Sequence, residues 1–172
     1  MFQFQYCPNC KSANIEFPDH RRFECRDCGM IFFQNIATAV GIIIEKDSKI
    51  LFTIRNRAPG KGQLDLPGGF TDPEETAEET CARELEEELG IKIAPGAFHY
   101  FTSAPNTYKY KDFPYRTEDL IFTAKLPESV TIRLEEDEIQ AVKWISFSAI
   151  EPEKIAFPSL RKAVIAYIKC HR

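Results

Sequence analysis

Residues 83–90, Arg83-Glu84-Leu85-Glu86-Glu87-Glu88-Leu89-Gly90, place four carboxylates in the last turn and a half of an expected helix. A helix carries partial negative charge at that end, so each carboxylate there costs about 0.3–1 kcal/mol. Acid–acid neighbours at i,i+4 add a few tenths more. At 3.6 residues per turn Glu84, Glu87 and Glu88 share one face, while Glu86 points the other way into solvent. Three carboxylates directed at one spot repel unless a cation sits among them, and hard oxygen donors suit Mg²⁺ or Mn²⁺. A solvated acidic face is the alternative that the helix alone leaves open.

A second group of residues with metal chemistry lies near the start. Cys7-Pro-Asn-Cys10 and Cys25-Arg-Asp-Cys28 are two CxxC pairs fourteen residues apart. Four thiolates on two tight turns can surround one Zn²⁺ in the manner of a zinc ribbon. A disulfide pair is the alternative, and nothing in the N-terminal sequence supports an oxidising compartment. His20 could replace one ligand, but four thiols already complete a site. So short a segment is expected to use the metal as its core. Residues 1–34 hold Lys11, Arg21, Arg22 and Arg26 against Glu16, Asp19, Glu24 and Asp27, so the segment carries no net charge and nucleic acid is not the expected partner. Cys81 and Cys170 read as ordinary buried thiols.

The elements that must position these groups follow from pattern. ATAVGIIIEK and KILFTIRN, joined at Asp47-Ser48, read as a β-hairpin. A loop containing a short strand then leads into the acidic helix, with Asp72 as N-cap, Pro73 in the first turn, Glu75 completing a capping box and Gly90 as the stop. Strands are expected at 97–103, 118–125 and 141–147, and a closing helix at 160–170 capped by Ser159. This order gives a mixed α+β layer fold, residues 36–172, preceded by a small zinc ribbon, residues 1–35. Between Asp72 and Gly90 nine acids face one base, a net −8 in a chain of net −4. Ala77, Cys81, Ala82, Leu85 and Leu89 interrupt the acids at helical spacing, which marks a folded helix and not an acidic tail. The sequence holds no run of 18 apolar residues and no basic, apolar leader, so a cytoplasmic protein without a membrane partner is expected.

Gly69, five residues, Glu75, seven residues, then Arg83-Glu84-Leu85-x-Glu87-Glu88-x-Gly90-Ile91 resembles the signature of the Nudix hydrolases at every defined position. Leu66-Pro67-Gly68-Gly69 before this box and Trp144 in a late strand extend the resemblance over about residues 36–150. It implies an α/β/α sandwich around a mixed sheet, often as a homodimer. It also implies hydrolysis of a nucleoside diphosphate linked to another moiety. Carried over by position, Glu87 and Glu88 are metal ligands and Glu84 is a ligand or general base. The Gly68 carbonyl is a further ligand, and Arg83 pairs with Glu75 to brace loop and helix. Glu138 matches a late glutamate used as ligand or base, with Glu118 and Asp119 as rivals. Arg55, Arg57 and Lys61 could hold phosphate oxygens.

A zinc ribbon before such a domain resembles the NADH pyrophosphatase branch, which carries Ser-Gln-Pro-Trp-Pro-Phe-Pro after the box. Ser103-Ala104-Pro105-Asn106-Thr107-Tyr108 lacks the Gln and the Trp, so NADH specificity is not implied. Pro105, fourteen residues past Ile91, resembles the proline of ADP-ribose pyrophosphatases. Tyr108, Tyr110, Phe113 and Tyr115 are either a base sandwich or the two faces of a hairpin. The expected substrate is ADP-ribose, an NADH-like dinucleotide or a nucleotide sugar. The alternative is a non-catalytic Nudix-fold nucleotide-binding or regulatory module with a zinc adaptor.

Overall fold

A computed structural model of the chain describes residues 4–19, 21–111, 113–127 and 129–171. His20 therefore lies outside the described residues. The chain forms two compact units, Met1–Ile36 and Ala37–Arg172.

In the first unit β1 (Ile15–Asp19), β2 (Arg22–Cys25) and β3 (Ile31–Phe33) form an antiparallel sheet in that order. The two CxxC segments make matching turns. Lys11 N–H bonds Cys7 C=O at 2.8 Å and Gly29 N–H bonds Cys25 C=O at 3.0 Å. Each closing residue is left-handed, Lys11 at φ 63° and Gly29 at φ 73°. The thiols are not the whole core. Phe23 is buried, with the rings of Phe4, Phe32 and Phe17 centred 5.1, 5.6 and 6.1 Å from it. Aromatic packing thus shares the work expected of the metal alone.

The second unit begins with β4 (Ala37–Lys46) and β5 (Lys49–Arg55), joined by Asp47 and Ser48 at φ 51° and 55°. Positive φ at both positions is the hairpin geometry that matches strand twist. The two strands pair only beside the turn, at Glu45–Ile50 and Lys46–Lys49, and then part. β5 goes on to pair with β6 (Leu64–Asp65) and β9 (Ile139–Ser146). β4 runs parallel to β8 (Phe113–Ala124), which forms a long hairpin with β7 (His99–Tyr110). Into the opening between β4 and β5 comes the Pro67–Thr71 segment. Its Pro67 and Gly69 carbonyls accept Ile42 N–H at 2.9 Å and Val40 N–H at 2.8 Å. β7 and β8 thus run well beyond the expected 97–103 and 118–125, and Tyr108, Tyr110 and Tyr115 lie on their outer part.

Alternation along the strands supplies a core on each face. Val40, Ile42, Ile44, Leu51 and Phe122 pack under α1 (Ala77–Leu89) with Cys81, Leu85 and Leu89. Ile43, Ile50, Phe52 and Ile121 pack under α2 (Pro158–Cys170) with Leu160, Ala163 and Val164. The result is an α/β/α sandwich on a mixed sheet.

Both helix starts differ from expectation. α1 is capped by Thr76, whose side chain accepts Glu79 N–H while Glu79 bonds back to Thr76 N–H, so the capping box lies four residues later. Glu74 at φ 71° breaks helical continuity after Pro73. α2 has Phe157 at its N-cap with no side-chain cap bond, and Ser159 is buried in the first turn. The α1 stop is Gly90 at φ 68°, with its N–H on Glu86 C=O and Ile91 N–H on Leu85 C=O. Cys81 is buried as expected, but Cys170 is exposed.

Candidate functional site

The four N-terminal thiols meet in one place. Cys7 Sγ lies 3.7 Å from Cys28 Sγ and Cys10 Sγ 3.6 Å from Cys25 Sγ, with all four within 4.8 Å of one another. A tetrahedron with Zn–S bonds of about 2.3 Å has edges of about 3.8 Å, whereas a disulfide needs about 2.05 Å. All six cysteines are free. The spacing fits one tetrahedral metal.

In the second unit the acidic face of α1 borders a cavity of about 480 Å³. Two glycines let the loop lie against the helix. A Cβ on Gly68, at φ 142°, would stand 2.2 Å from the Val40 carbonyl oxygen. A Cβ on Gly69 would stand 2.4 Å from Glu84 Oε1. The backbone therefore approaches the carboxylates as closely as only glycine permits, and Gly68 N–H donates to Glu88 Oε2 at 3.1 Å.

Arg83 organises the other acids. Its guanidinium reaches Glu75 Oε1 at 2.8 Å and Oε2 at 3.1 Å, Glu84 Oε1 at 2.7 Å, Glu87 Oε2 at 3.0 Å and the Phe70 carbonyl at 3.0 Å. Glu75 is held down at about 2 by its bonds from Arg83, with Thr80 and the Asp72 N–H adding to them. Burial pushes Glu88 well above the ordinary carboxylate range, and Asp65, Glu84 and Glu138 add repulsion against the Gly68 bond. Burial also raises Glu84, opposed by Arg83. Glu87 is the exposed member of the face, at 60%. Glu86 lies outside the cavity and pairs with Lys92 at 2.8 Å.

Among the described residues, eight carboxylates and three guanidinium groups line this cavity. Glu138 and Arg57 form an ion pair at its edge. Their loops are tied by Asn56 N–H to Glu138 C=O at 2.7 Å, and Glu135 N–H reaches Glu88 C=O at 3.0 Å. Tyr108 faces in, with Phe70 at 5.3 Å and Phe157 at 5.7 Å between ring centroids. Arg55 also lines it, but its charge is already taken by Asp65. Lys61 and Glu118 do not line it.

Several residues of the wall were not singled out from sequence, among them Asp65, Phe70, Asn106, Glu135 and Phe157. Asp65 is buried, accepts Arg55 Nη1 and Leu66 N–H, and is pushed up to about 6 by burial against the pull of Arg55. Its only signal was a carboxylate between two leucines. Phe157 and Asn106 also line the wall. Asp119, weighed only as a rival of Glu138, is buried and accepts Thr117 Oγ1–H at 2.9 Å and Ser159 Oγ–H. Ser159 thus ties α2 to β8 instead of capping the helix.

The donor set is hard oxygen throughout, and burial and repulsion both raise Glu84 and Glu88. A bound cation relieves both penalties, so the residues fit Mg²⁺ or Mn²⁺. Among the described residues no helix is long and apolar enough to cross a membrane.

The NUDIX domain matches residues 35–166 of this chain. NAD-capped RNA hydrolase NudC of Chromobacterium violaceum is 27% identical over 165 residues, 92% of this chain and 58% of that protein. An ADP-ribose pyrophosphatase of Methanocaldococcus jannaschii is 53% identical over 55 residues, 32% of each. The chain spans less than two thirds of the length of these curated relatives. A NUDIX hydrolase from Nitrosomonas europaea, solved by crystallography, shares the fold with a TM-score of 0.71 at 24% identity, over 96% of this chain and 91% of that one.

Proposed function

The chain belongs to the NUDIX family, and from that premise we propose that it is a divalent-metal-dependent pyrophosphohydrolase acting on a nucleoside diphosphate linked to a second moiety. The observation that carries this reading is the acidic cavity where Glu84 and Glu88 meet the Gly68-Gly69 backbone, with Glu87, Arg57 and Tyr108 in the same wall. An anionic diphosphate is repelled from so many carboxylates unless cations accompany it. Mg²⁺ or Mn²⁺, held by Glu84, Glu87, Glu88 and the Gly68 carbonyl, would neutralise the diphosphate and activate a water.

The chain's own groups do the rest. Arg83 fixes Glu84 and Glu87 while Glu75 holds Arg83 from the other side, so the carboxylates are oriented before substrate arrives. Glu84 and Glu138 are the candidates to take the proton of the attacking water, and separate Gln variants assign the role. Arg57, exposed at 55% and paired with Glu138, would exchange that carboxylate for a phosphate oxygen. Tyr108, backed by Phe70 and Phe157, offers a face to the base. The four cysteines hold a structural Zn²⁺.

ADP-ribose leads the substrate list, an NADH-like dinucleotide follows it, and the relatives' names add NAD-capped RNA. The test is a panel of these with nucleotide sugars, in Mg²⁺ and in Mn²⁺. Metal-dependent release of AMP from ADP-ribose is the expected result. Tight binding of every substrate with cleavage of none would favour a binding module instead.

A further inference from the structure

The outer part of the β7–β8 hairpin reaches past the start of β4, where Ala37 pairs with Thr117. Beyond that row Tyr108 pairs with Tyr115 and Tyr110 with Phe113. Directly paired residues share one face of a sheet, as do residues two apart on a strand. All four rings therefore lie on one face, not on two.

That face is continuous with the floor of the acidic cavity. Going outward, its rows are Ala39 with Asp119 and Ala104, then Ala37 with Thr117 and Asn106, then Tyr115 with Tyr108, then Phe113 with Tyr110. Successive rows are about 7 Å apart. Asp119, Thr117, Asn106 and Tyr108 line the acidic cavity. Ala37, Tyr108, Tyr110 and Tyr115 line a second cleft of about 420 Å³, together with Arg57, Ala58 and Phe70. Arg57, Phe70 and Tyr108 belong to both, so the two spaces adjoin. One sheet face thus passes from carboxylate, through hydroxyl and amide, to aromatic rings. A nucleotide held by its phosphates at the acidic end presents the same order, with its base outermost.

The rings of the outer cleft are accessible. Tyr110, Tyr115 and Phe70 are 45%, 42% and 40% exposed. Large rings gathered in one concave wall and left open to solvent are the mark of a ligand groove. Two of them are steadied by edge-on neighbours, Tyr115 by Phe113 at 4.9 Å and Phe70 by Tyr108 at 5.3 Å between ring centroids. Among the described residues Arg57 supplies the cleft's one charge, and no carboxylate or side-chain amide lines it. Such a wall stacks a flat ring well but has little with which to read the ring's edge. We propose that this cleft is the subsite for the base of the substrate, where Tyr110 and Tyr115 join Tyr108 in stacking a purine without distinguishing adenine from guanine. This deepens the hydrolase reading above and rests on it for the placement of the phosphates.

Calorimetry on the full-length protein in Mg²⁺ tests this with the α,β-methylene analogues of ADP and GDP, whose P–C–P link resists cleavage, and with methylenediphosphonate, which lacks the nucleoside. The two nucleotide analogues should bind within about fivefold of each other, and each at least about thirtyfold tighter than methylenediphosphonate. Tyr110→Ala and Tyr115→Ala should each weaken both nucleotide analogues by at least about fivefold and leave methylenediphosphonate unaffected. Tyr110→Phe should restore the affinity, because the ring and not the hydroxyl is used. Tyr100→Ala removes an exposed tyrosine at the other end of β7 and serves as the control, with melting temperatures checked for every variant. Binding indifferent to the nucleoside, alanine losses below about fivefold, or a wider gap between the two purines overturns the proposal. Cleavage of ADP-ribose is measured alongside, in Mg²⁺ and in Mn²⁺. If the binding pattern holds but nothing is cleaved, the hydrolase reading fails and the base cleft stands. If ADP-ribose is cleaved equally well by wild type and both alanine variants, the base cleft fails and the hydrolase reading stands.

Discussion

Glu88→Gln separates a metal site from an acidic helix most cleanly. Gln fits the same space and its amide oxygen still accepts the Gly68 N–H, which now reaches Glu88 Oε2 at 3.1 Å. Without metal, the substitution removes a charge from the negative end of α1 and one i,i+4 repulsion with Glu84, together about 1 kcal/mol. Desolvation of this buried carboxylate adds to that, so the figure is a lower bound. For a unit of this size 1 kcal/mol is a rise in Tm of roughly 3–5 °C. The gain depends on pH. The folded pKa of Glu88 is raised, so the folded state binds more protons than the unfolded chain between the ordinary glutamate range and that raised value, and stability falls as pH rises through this window. The advantage of the variant must therefore grow with pH and vanish on acidification. Turnover should drop by at least about a hundredfold, because the lost ligand serves the ions that stabilise the transition state. Glu86→Gln, which only breaks an exposed pair with Lys92, should change activity less than about threefold. The assays are thermal melts with and without metal from pH 5 to 9, and steady-state kinetics on ADP-ribose. Equal, modest losses from both variants, or a Tm gain that ignores pH, would refute the assignment.

Purified protein should hold about one zinc per chain. Cys25→Ser should abolish zinc binding and unfold the first unit while the second keeps its melting transition, and metal analysis with calorimetry checks both. Kinetics should show no hundredfold preference for NADH over ADP-ribose in kcat/KM, since Ala104 and Asn106 stand where the dinucleotide branch has Gln and Trp. Gly68→Ala and Gly69→Ala should behave differently. The first drives a methyl into the Val40 backbone at positive φ and should lower stability by about 2 kcal/mol or more, read by denaturant titration. The second meets the movable end of Glu84 and should leave the melt nearly unchanged while activity falls.

Local pattern carried much of this structure. The Asp47-Ser48 turn, the alternating strands on either side of it and the Gly90 stop all depend on neighbours in sequence, and each stands where the residues indicate. Asp72 with Glu75 reads as the start of α1, yet the box that forms is the one four residues later, Thr76 with Glu79. What decides between them is non-local: Arg83 takes the Glu75 carboxylate. The same holds for the polar end of the cavity. Asp65 is recognisable as a buried partner only once Thr53 and Asp65 are in register on β5 and β6. Ser159 looks like a helix cap until β8 brings Asp119 beneath it. Charges that pair across the fold leave no trace in periodicity, whereas charges that share one helix face do.

The parallel pairing of β4 with β8 has a consequence for how the protein is made. Ala37 pairs with Thr117, eighty positions further along the chain, and the cavity wall runs from Ala39 to Leu160. A nascent chain emerging from the ribosome displays β4, β5 and the complete glutamate helix before β8 exists to pair beside β4. Loop-closure entropy delays such distant pairing. The −8 segment then acts as a solubilising stretch during synthesis, its mutual repulsion keeping the emerging chain extended and unaggregated until Leu160 arrives.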